Sequence, residues 1–298
     1  MQPHALTVQP HALTVFGITG RMGQSLIRAL REVSAREGSG SEGSGREGAA
    51  RAGTARAGAE FELRGATASA GSARLGLDAA ADGLPTGVLI GADPVAALKG
   101  AAVALDFSVG SAVALHAQAC ARGSVPLLVG ATGLDAPAKA ELTLAAKSIA
   151  VLIAPNTSVG VAVLNELAAA ASRALGSLYD VDISEAHHRQ KRDAPSGTAL
   201  KLGETIAKSR AVALSEVAVY ERHGTDSARR AGSIGFSVVR AGDIVGEHTV
   251  SFSGAGERLE ITHRAADRIT FARGALRAAG WLIGRQPGLY DMKDVLGL

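Results

Sequence analysis

The sequence predicts an α/β protein of two unlike parts: a parallel sheet flanked by helices, then an α+β unit built on an open mixed sheet. Three observations carry that reading. Up to about residue 158, short apolar runs alternate with helix-length segments, the rhythm of right-handed βαβ units. Beyond it, runs with strand character follow one another at hairpin-like spacing, which suits antiparallel or mixed pairing. A last apolar helix, about 270–284, is placed to return to the first part. The 298 residues suffice for two cores, and the expected boundaries are 1–158 completed by 269–298, with 159–268 between them.

In chain order, strands are expected at 13–17, 61–67, 87–90, 102–107, 125–129 and 149–154, and helices at 21–33, 110–122 and 135–147. The second part opens with an Ala-rich helix at about 160–174 and the strand YDVDISEA. A helix at about 197–210 and strands at 216–221, 231–240, 244–253 and 257–264 follow. Two segments stand apart. QPHALTV occurs at 2–8 and again at 9–15; the second copy runs into FGITG and serves as the first strand. Two copies of seven residues are too few for a repeat architecture, so the first is read as an extension. The stretch 37–60, made of Gly, Ser, Ala, Glu and Arg, has almost nothing to bury and reads as a flexible insertion.

Composition removes several classes of function. With 31 basic and 28 acidic residues the net charge is only +3, and 3% aromatic content offers few stacking platforms, so nucleic acid is not an expected partner. Cys120, the single cysteine, excludes an internal disulfide and lies in an apolar run as an inert thiol. No apolar stretch is expected to reach the roughly 18 residues that span a bilayer, and the start lacks a leader pattern. The reading is a cytoplasmic protein with no membrane partner. Apart from His187 and His188 the histidines are scattered, and no metal site is expected.

The first motif follows the strand TVF. Gly17-Ile18-Thr19-Gly20-Arg21-Met22-Gly23 leads into a helical stretch: Gly17 allows a tight turn, Gly20 a close approach to a pyrophosphate, and Gly23 helix-on-strand packing. Free amides at the helix start would face the anion. Three more loops sit at strand ends, where open α/β sheets bind ligands: Asp106-Phe107-Ser108, Gly130-Ala131-Thr132-Gly133 and Ala154-Pro155-Asn156-Thr157-Ser158. Together they read as a bed for NADH or NADPH. The position that usually reads the ribose falls near Ala68 and Ser69, which are uncharged; Arg64 or Arg74 could serve a phosphate. The choice between the two nucleotides stays open.

The second motif is EAHHRQKRDAPSGTAL, residues 185–200. His187 and Lys191, four apart, fall on one side of either a helix or a strand and can converge on one ligand. His188 needs a curved chain to join them. Ser196 is a plausible N-cap of the next helix, with Gly197 and Thr198 leaving amides accessible. Cations beside a helix N-terminus suit a small di-anionic substrate, and a histidine next to a lysine suits proton donation. The plain alternative is a solvated basic loop, which the adjoining PSGT disfavours.

With GITGRMG and EAHHRQKRDAPSGTAL both in view, the chain resembles the 4-hydroxy-tetrahydrodipicolinate reductase family, formerly called dihydrodipicolinate reductase. VGATG, APNTSVGV, IGFSVVRAGDIVGEH and ITHRAADRITFARGALRAAGWL also resemble its segments in order. The resemblance, over about 13–34 and 61–298, implies a Rossmann-like domain and a substrate domain that builds a homotetramer, with hinge closure between them. It implies hydride transfer from NADH or NADPH to C4 of a dicarboxylate ring. His187 is implied as the acid/base and Lys191 as a proton donor, with His188, Gly197 and Thr198 on the substrate carboxylates. Gly17 to Met22, Gly130 to Thr132 and Ala154 to Thr157 are implied at the cofactor. Two positions depart from the family pattern: Ala68-Ser69 replaces an acidic-basic pair, and Thr157 stands where an aromatic residue is common. The rival readings are another two-domain nicotinamide dehydrogenase, which needs a pattern other than HHRxK followed by PSGT, and a non-catalytic dinucleotide sensor, which has no use for the paired proton donors His187 and Lys191.

Overall fold

Strand β1 (His11–Phe16) begins a computed structural model that describes residues 9–38 and 61–298. The first heptapeptide copy and residues 39–60 of the expected insertion lie outside the described residues; Glu37 and Gly38 end the first helix. Helix α1 (Arg21–Gly38) and strand β2 (Phe61–Thr67) come next, then α2 (Pro94–Ala97), β3 (Val103–Asp106), α3 (Val113–Gly123), β4 (Leu127–Val129), α4 (Ala136–Ala145) and β5 (Ala150–Ile153). Local chemistry sets these starts. At α4, Asp135 caps by accepting the Ala138 amide at 2.8 Å, with a proline in the first turn.

The chain then enters a second unit, Val159–Arg268. It holds α5 (Val159–Leu175), β6 (Asp180–His187), α6 (Gly197–Ser209), α7 (Leu214–Val217), β7 (Ala218–Val219), β8 (Ile234–Arg240), β9 (Gly246–Gly254) and β10 (Glu257–Ala265). The sheet order is β10-β9-β6-β8-β7; β6 is parallel to β8 and antiparallel to β9. Burial alternates strictly along β6, so Val181, Ile183, Glu185 and His187 share one face. Val181 and Ile183 pack with Leu164 of α5 and with Leu202 and Ile206 of α6, Val250 and Phe252. The polar end of that row, Glu185 and His187, carries the candidate site.

The last segment belongs to the first unit again: α8 (Ile269–Leu282), β11 (Gly288–Tyr290) and α9 (Met292–Leu296). The first sheet has six strands in the order β11-β5-β4-β3-β1-β2, and every pairing is parallel. Helices cover both faces: α3 and α4 over Ala104, Leu127, Val129 and Val151, and α8 against α1 and strands β3 to β5.

Four expectations need correction. The segment 87–90 makes only isolated bridges, Thr67↔Gly91 and Asp78↔Leu89. Asp78 closes this loop instead, its carboxylate taking the amides of Ala80, Thr86 and Gly87 at 2.8 to 3.0 Å. The sixth strand is β11, contributed by the C-terminus. The expected strand 216–221 shrinks to the two residues of β7 because the Glu216 amide bonds to Ala213 and curls the chain. Finally, Val159–Leu178 is long and apolar enough by composition to cross a membrane, with mean hydropathy 1.2. Its buried face, with Leu164 and Ala168, packs into the second unit's core.

Candidate functional site

The glycine turn between β1 and α1 is built as its residue types demand. Gly17 has φ of 77°, and a Cβ there would come within 2.8 Å of the backbone of Phe107 and Ser108. A Cβ on Gly23 would meet the Ile18 carbonyl oxygen at 2.3 Å, so α1 lies directly on the turn. The amides of Gly17 and Ile18 donate to the Thr67 carbonyl at 3.0 and 3.1 Å, which ties the turn to the end of β2. Thr19, Gly20 and Arg21 are exposed, and the first amides of α1, from Arg21 on, have no acceptor within the helix. This is a cradle that fits a pyrophosphate. Ile18 lies beneath it: its side chain is fully buried and its carbonyl accepts from Gln24 Nε2 at 2.8 Å.

The other three loops follow β3, β4 and β5, the strands next in line from β1. Asp106 is buried, and its carboxylate accepts the Ser108 amide at 2.9 Å and hydroxyl at 2.6 Å and contacts His116 Nδ1 at 2.8 Å. The amides of Gly130 and Ala131 donate to the Asp106 carbonyl at 2.8 and 3.1 Å, so two loops share one anchor. Thr132 and Pro155 are exposed, Asn156 half-buried and Ala154 buried. Thr157 turns inward: its hydroxyl donates to the Phe271 carbonyl at 2.7 Å, fastening the loop to α8. That is the use this chain makes of the position where the family it resembles often has an aromatic residue. Near β2, both candidate cations are engaged. Arg74 donates to the carbonyls of Asp78 and Ala80 at 2.9 and 2.7 Å, and Arg64 pairs with Glu62 within the strand. Cys120 is buried, which pushes its thiol pKa up and leaves it inert.

In the second unit the basic stretch after His187 is neither helical nor extended. Strand β6 stops at His187, and a reverse turn follows in which the Lys191 amide donates to the His188 carbonyl at 3.1 Å. The turn, not a shared face, brings Lys191 back. Lys191 Nζ donates to both oxygens of Asp193 at 2.8 Å, and Asp193 is largely exposed. His188 is half-buried. Ser196 caps α6, accepting the Ala199 amide at 3.2 Å. A Cβ added to Gly197 would meet nothing within 4 Å, so there is room beside the start of α6.

His187 sits on a buried polar network that residue spacing did not reveal. Its Nδ1 lies 2.6 Å from Glu185 Oε2. Arg240 forks onto the same carboxylate at 2.7 and 2.8 Å, and the Ser196 amide donates to Oε1 at 2.9 Å. His248, opposite Glu185 on β9, packs edge-on against the His187 ring at 5.1 Å, with its Nε2 2.9 Å from the Ser196 hydroxyl. Burial would raise the Glu185 pKa, but Arg240, His187 and the Ser196 amide outweigh it and hold the carboxyl below its usual range. Burial lowers His187, and the attraction of Glu185 only partly opposes it. Burial, reinforced by His187, takes His248 down to about 4. Glu185 was legible as the residue two before His187 on one strand face. Arg240 and His248 arrive from later strands and carried no local signal.

Comparison with known proteins follows the same division. The C-terminal family model of dihydrodipicolinate reductase matches residues 160–296 and the N-terminal one residues 40–157. A 4-hydroxy-tetrahydrodipicolinate reductase of Anaeromyxobacter dehalogenans strain 2CP-C is 49% identical over 288 residues, covering 96% of this chain and 97% of that one. One from Bordetella pertussis is 47% identical over 290 residues, covering 97% and 98%. The dipicolinate-bound dihydrodipicolinate reductase of Paenisporosarcina sp. TG-14 shares the fold with a TM-score of 0.68 at 20% identity, over 95% of this chain and 98% of that one.

Proposed function

The chain belongs to the dihydrodipicolinate reductase family, and from that premise we propose how its residues reduce 4-hydroxy-tetrahydrodipicolinate to tetrahydrodipicolinate. The balance is one water lost from the substrate, one hydride and one proton gained, and one NAD(P)⁺ released. When bound, the reduced nicotinamide supplies the hydride to ring C4. The glycine turn, the amides that open α1, and the exposed parts of the loops at Thr132 and Pro155-Asn156 would hold it. With Arg74 and Arg64 engaged and Ala68-Ser69 uncharged, charge does not read the ribose 2′ position. The values of kcat/KM for NADH and NADPH should therefore lie within about tenfold of each other, a difference of no more than ~1.4 kcal/mol. Steady-state kinetics with each cofactor checks this.

The observation that carries the catalytic assignment is His187 held on Glu185 next to the open N-terminus of α6. The substrate's two carboxylates are met by the Gly197 and Thr198 amides and His188, with Lys191 beside them. Their negative charge offsets the burial that depresses His187, so the imidazole gains a proton as the substrate arrives. His187 and Lys191 then deliver the proton that hydride transfer requires. The sheet face turned away from α5 and α6, with Val239 half exposed on it, is the surface assigned to a homotetramer. The reaction is assigned to the cytoplasm. Mixing the purified protein with NADH or NADPH and freshly generated substrate should bleach the nicotinamide absorbance; no oxidation above background with either cofactor overturns the reading.

A further inference from the structure

We propose that Glu185 is a positioning residue for this reaction: its carboxylate takes the proton on His187 Nδ1, leaving Nε2 as the nitrogen that meets the substrate, and anchors the start of α6. The inference rests on the assignment of His187 given above. Glu185 has a side-chain exposure of 1%, and its two oxygens receive four donors: two from Arg240, one from His187 and one from the Ser196 amide. An ionised carboxylate only accepts hydrogen bonds, so a partner at 2.6 Å has to bring the proton. Four contacts fill its lone-pair directions and fix its plane. The His187 ring is thereby set in both orientation and tautomer.

Two further contacts support the same geometry. His248 packs edge-on against the His187 ring and, being neutral near pH 7, adds no charge that would compete for Glu185. On the Nε2 side stands Gly246; a Cβ there would come within 3.1 Å of Nε2. A residue without a side chain leaves that edge of the ring clear. The Ser196 amide ties the same carboxylate to the residue that caps α6, so proton donor and carboxylate-binding amides share one anchor. Stability does not account for the arrangement, because a buried Arg–Glu pair contributes little net stability over apolar packing.

The test uses full-length protein labelled with nitrogen-15 in its histidine rings, the His187 signals being identified by their loss in His187→Gln. At pH 8 the spectrum should show Nδ1 protonated and Nε2 bare. Glu185→Gln keeps the shape and removes the charge: mixed tautomers are expected, with kcat lower by about 10²-fold, a modest share of what acid–base catalysis supplies. The substrate KM should change less than about threefold, because the substrate amides remain. The alkaline limb of kcat/KM, where the proton donor is lost, should move to lower pH, since the imidazolium loses its counter-charge. Glu185→Asp should restore part of kcat. A proton on Nε2 in the unaltered protein overturns the proposal, and so does Glu185→Gln with unchanged kcat and pH profile. If Glu185→Gln does not fold, the tautomer of the unaltered protein decides. Full turnover in His187→Gln would instead sink the catalytic assignment, which is a separate result.

Discussion

At the scale of single residues, side-chain chemistry and its immediate partners account for the candidate site. His187→Ala and Lys191→Ala should each lower turnover by at least about 10²-fold, in keeping with loss of a proton donor. Nucleotide affinity, measured by fluorescence titration, should be nearly unchanged, because the glycine turn belongs to the other unit. Another prediction concerns pH. His248 is neutral in the folded state down to about 4, whereas an unfolded histidine titrates near 6.5. Its stabilising contribution is fully present above pH 6.5 and is lost as pH falls towards 4, because the unfolded chain binds the proton first. The full amount is about 3 kcal/mol. A thermal-melting series should show Tm dropping across this window, with a smaller drop in His248→Gln. His187 and Lys191 were legible because their chemistry is bunched in the sequence. His248 read as one scattered histidine among several; only pairing across β9 and β6 places it against His187.

At the scale of elements, the alternation of short apolar runs with helix-length segments predicted most strands and helices of the first unit, and the alternating burial of β6 follows from its period of two. Failures occurred where a side chain replaced a ladder, as Asp78 does in the loop before Gly91, or where a helical turn pre-empted a strand, as at Leu214–Val217. The packing of α8 offers a sharp test. A Cβ on Gly274 would sit 1.9 Å from the Thr157 carbonyl oxygen, a contact with backbone that no rotamer relieves. Gly274→Ala should therefore push α8 off the loop that follows β5. The expected loss is roughly 1–3 kcal/mol of stability, as for overpacked cores, together with weaker nucleotide binding. Thr157→Val, which removes only the hydroxyl bond to Phe271, should cost about 1 kcal/mol. Chemical denaturation compares the two.

At the scale of the whole molecule, the first unit is completed by the end of the chain. Six α8 side chains or backbone positions, from Ala272 and Ala275 to Leu282, are buried to 1% or less, and β11 forms the sheet edge on β5. Ending the chain after Arg268 should leave the first unit without its β11 edge and with α1 uncovered. The expected outcome is loss of nucleotide binding and of cooperative melting, by titration and calorimetry. The sequence by itself determined the two-part architecture, the glycine turn, the capped start of α6 and the bunching of His187 with Lys191. These are properties of neighbours in the chain: hydrophobic period, φ preference and side-chain type act over a few residues. Only the tertiary structure decided that β11 closes the first sheet, that Thr157 fastens α8, and that Glu185, Arg240, Ser196 and His248 surround His187. Apart from the Glu185–His187 pair, which lies two residues apart on one strand, those contacts join residues at least 11 positions apart, and nothing local encodes them. Burial and strand register settle which distant donors can reach one carboxylate, and both exist only once the sheet has formed.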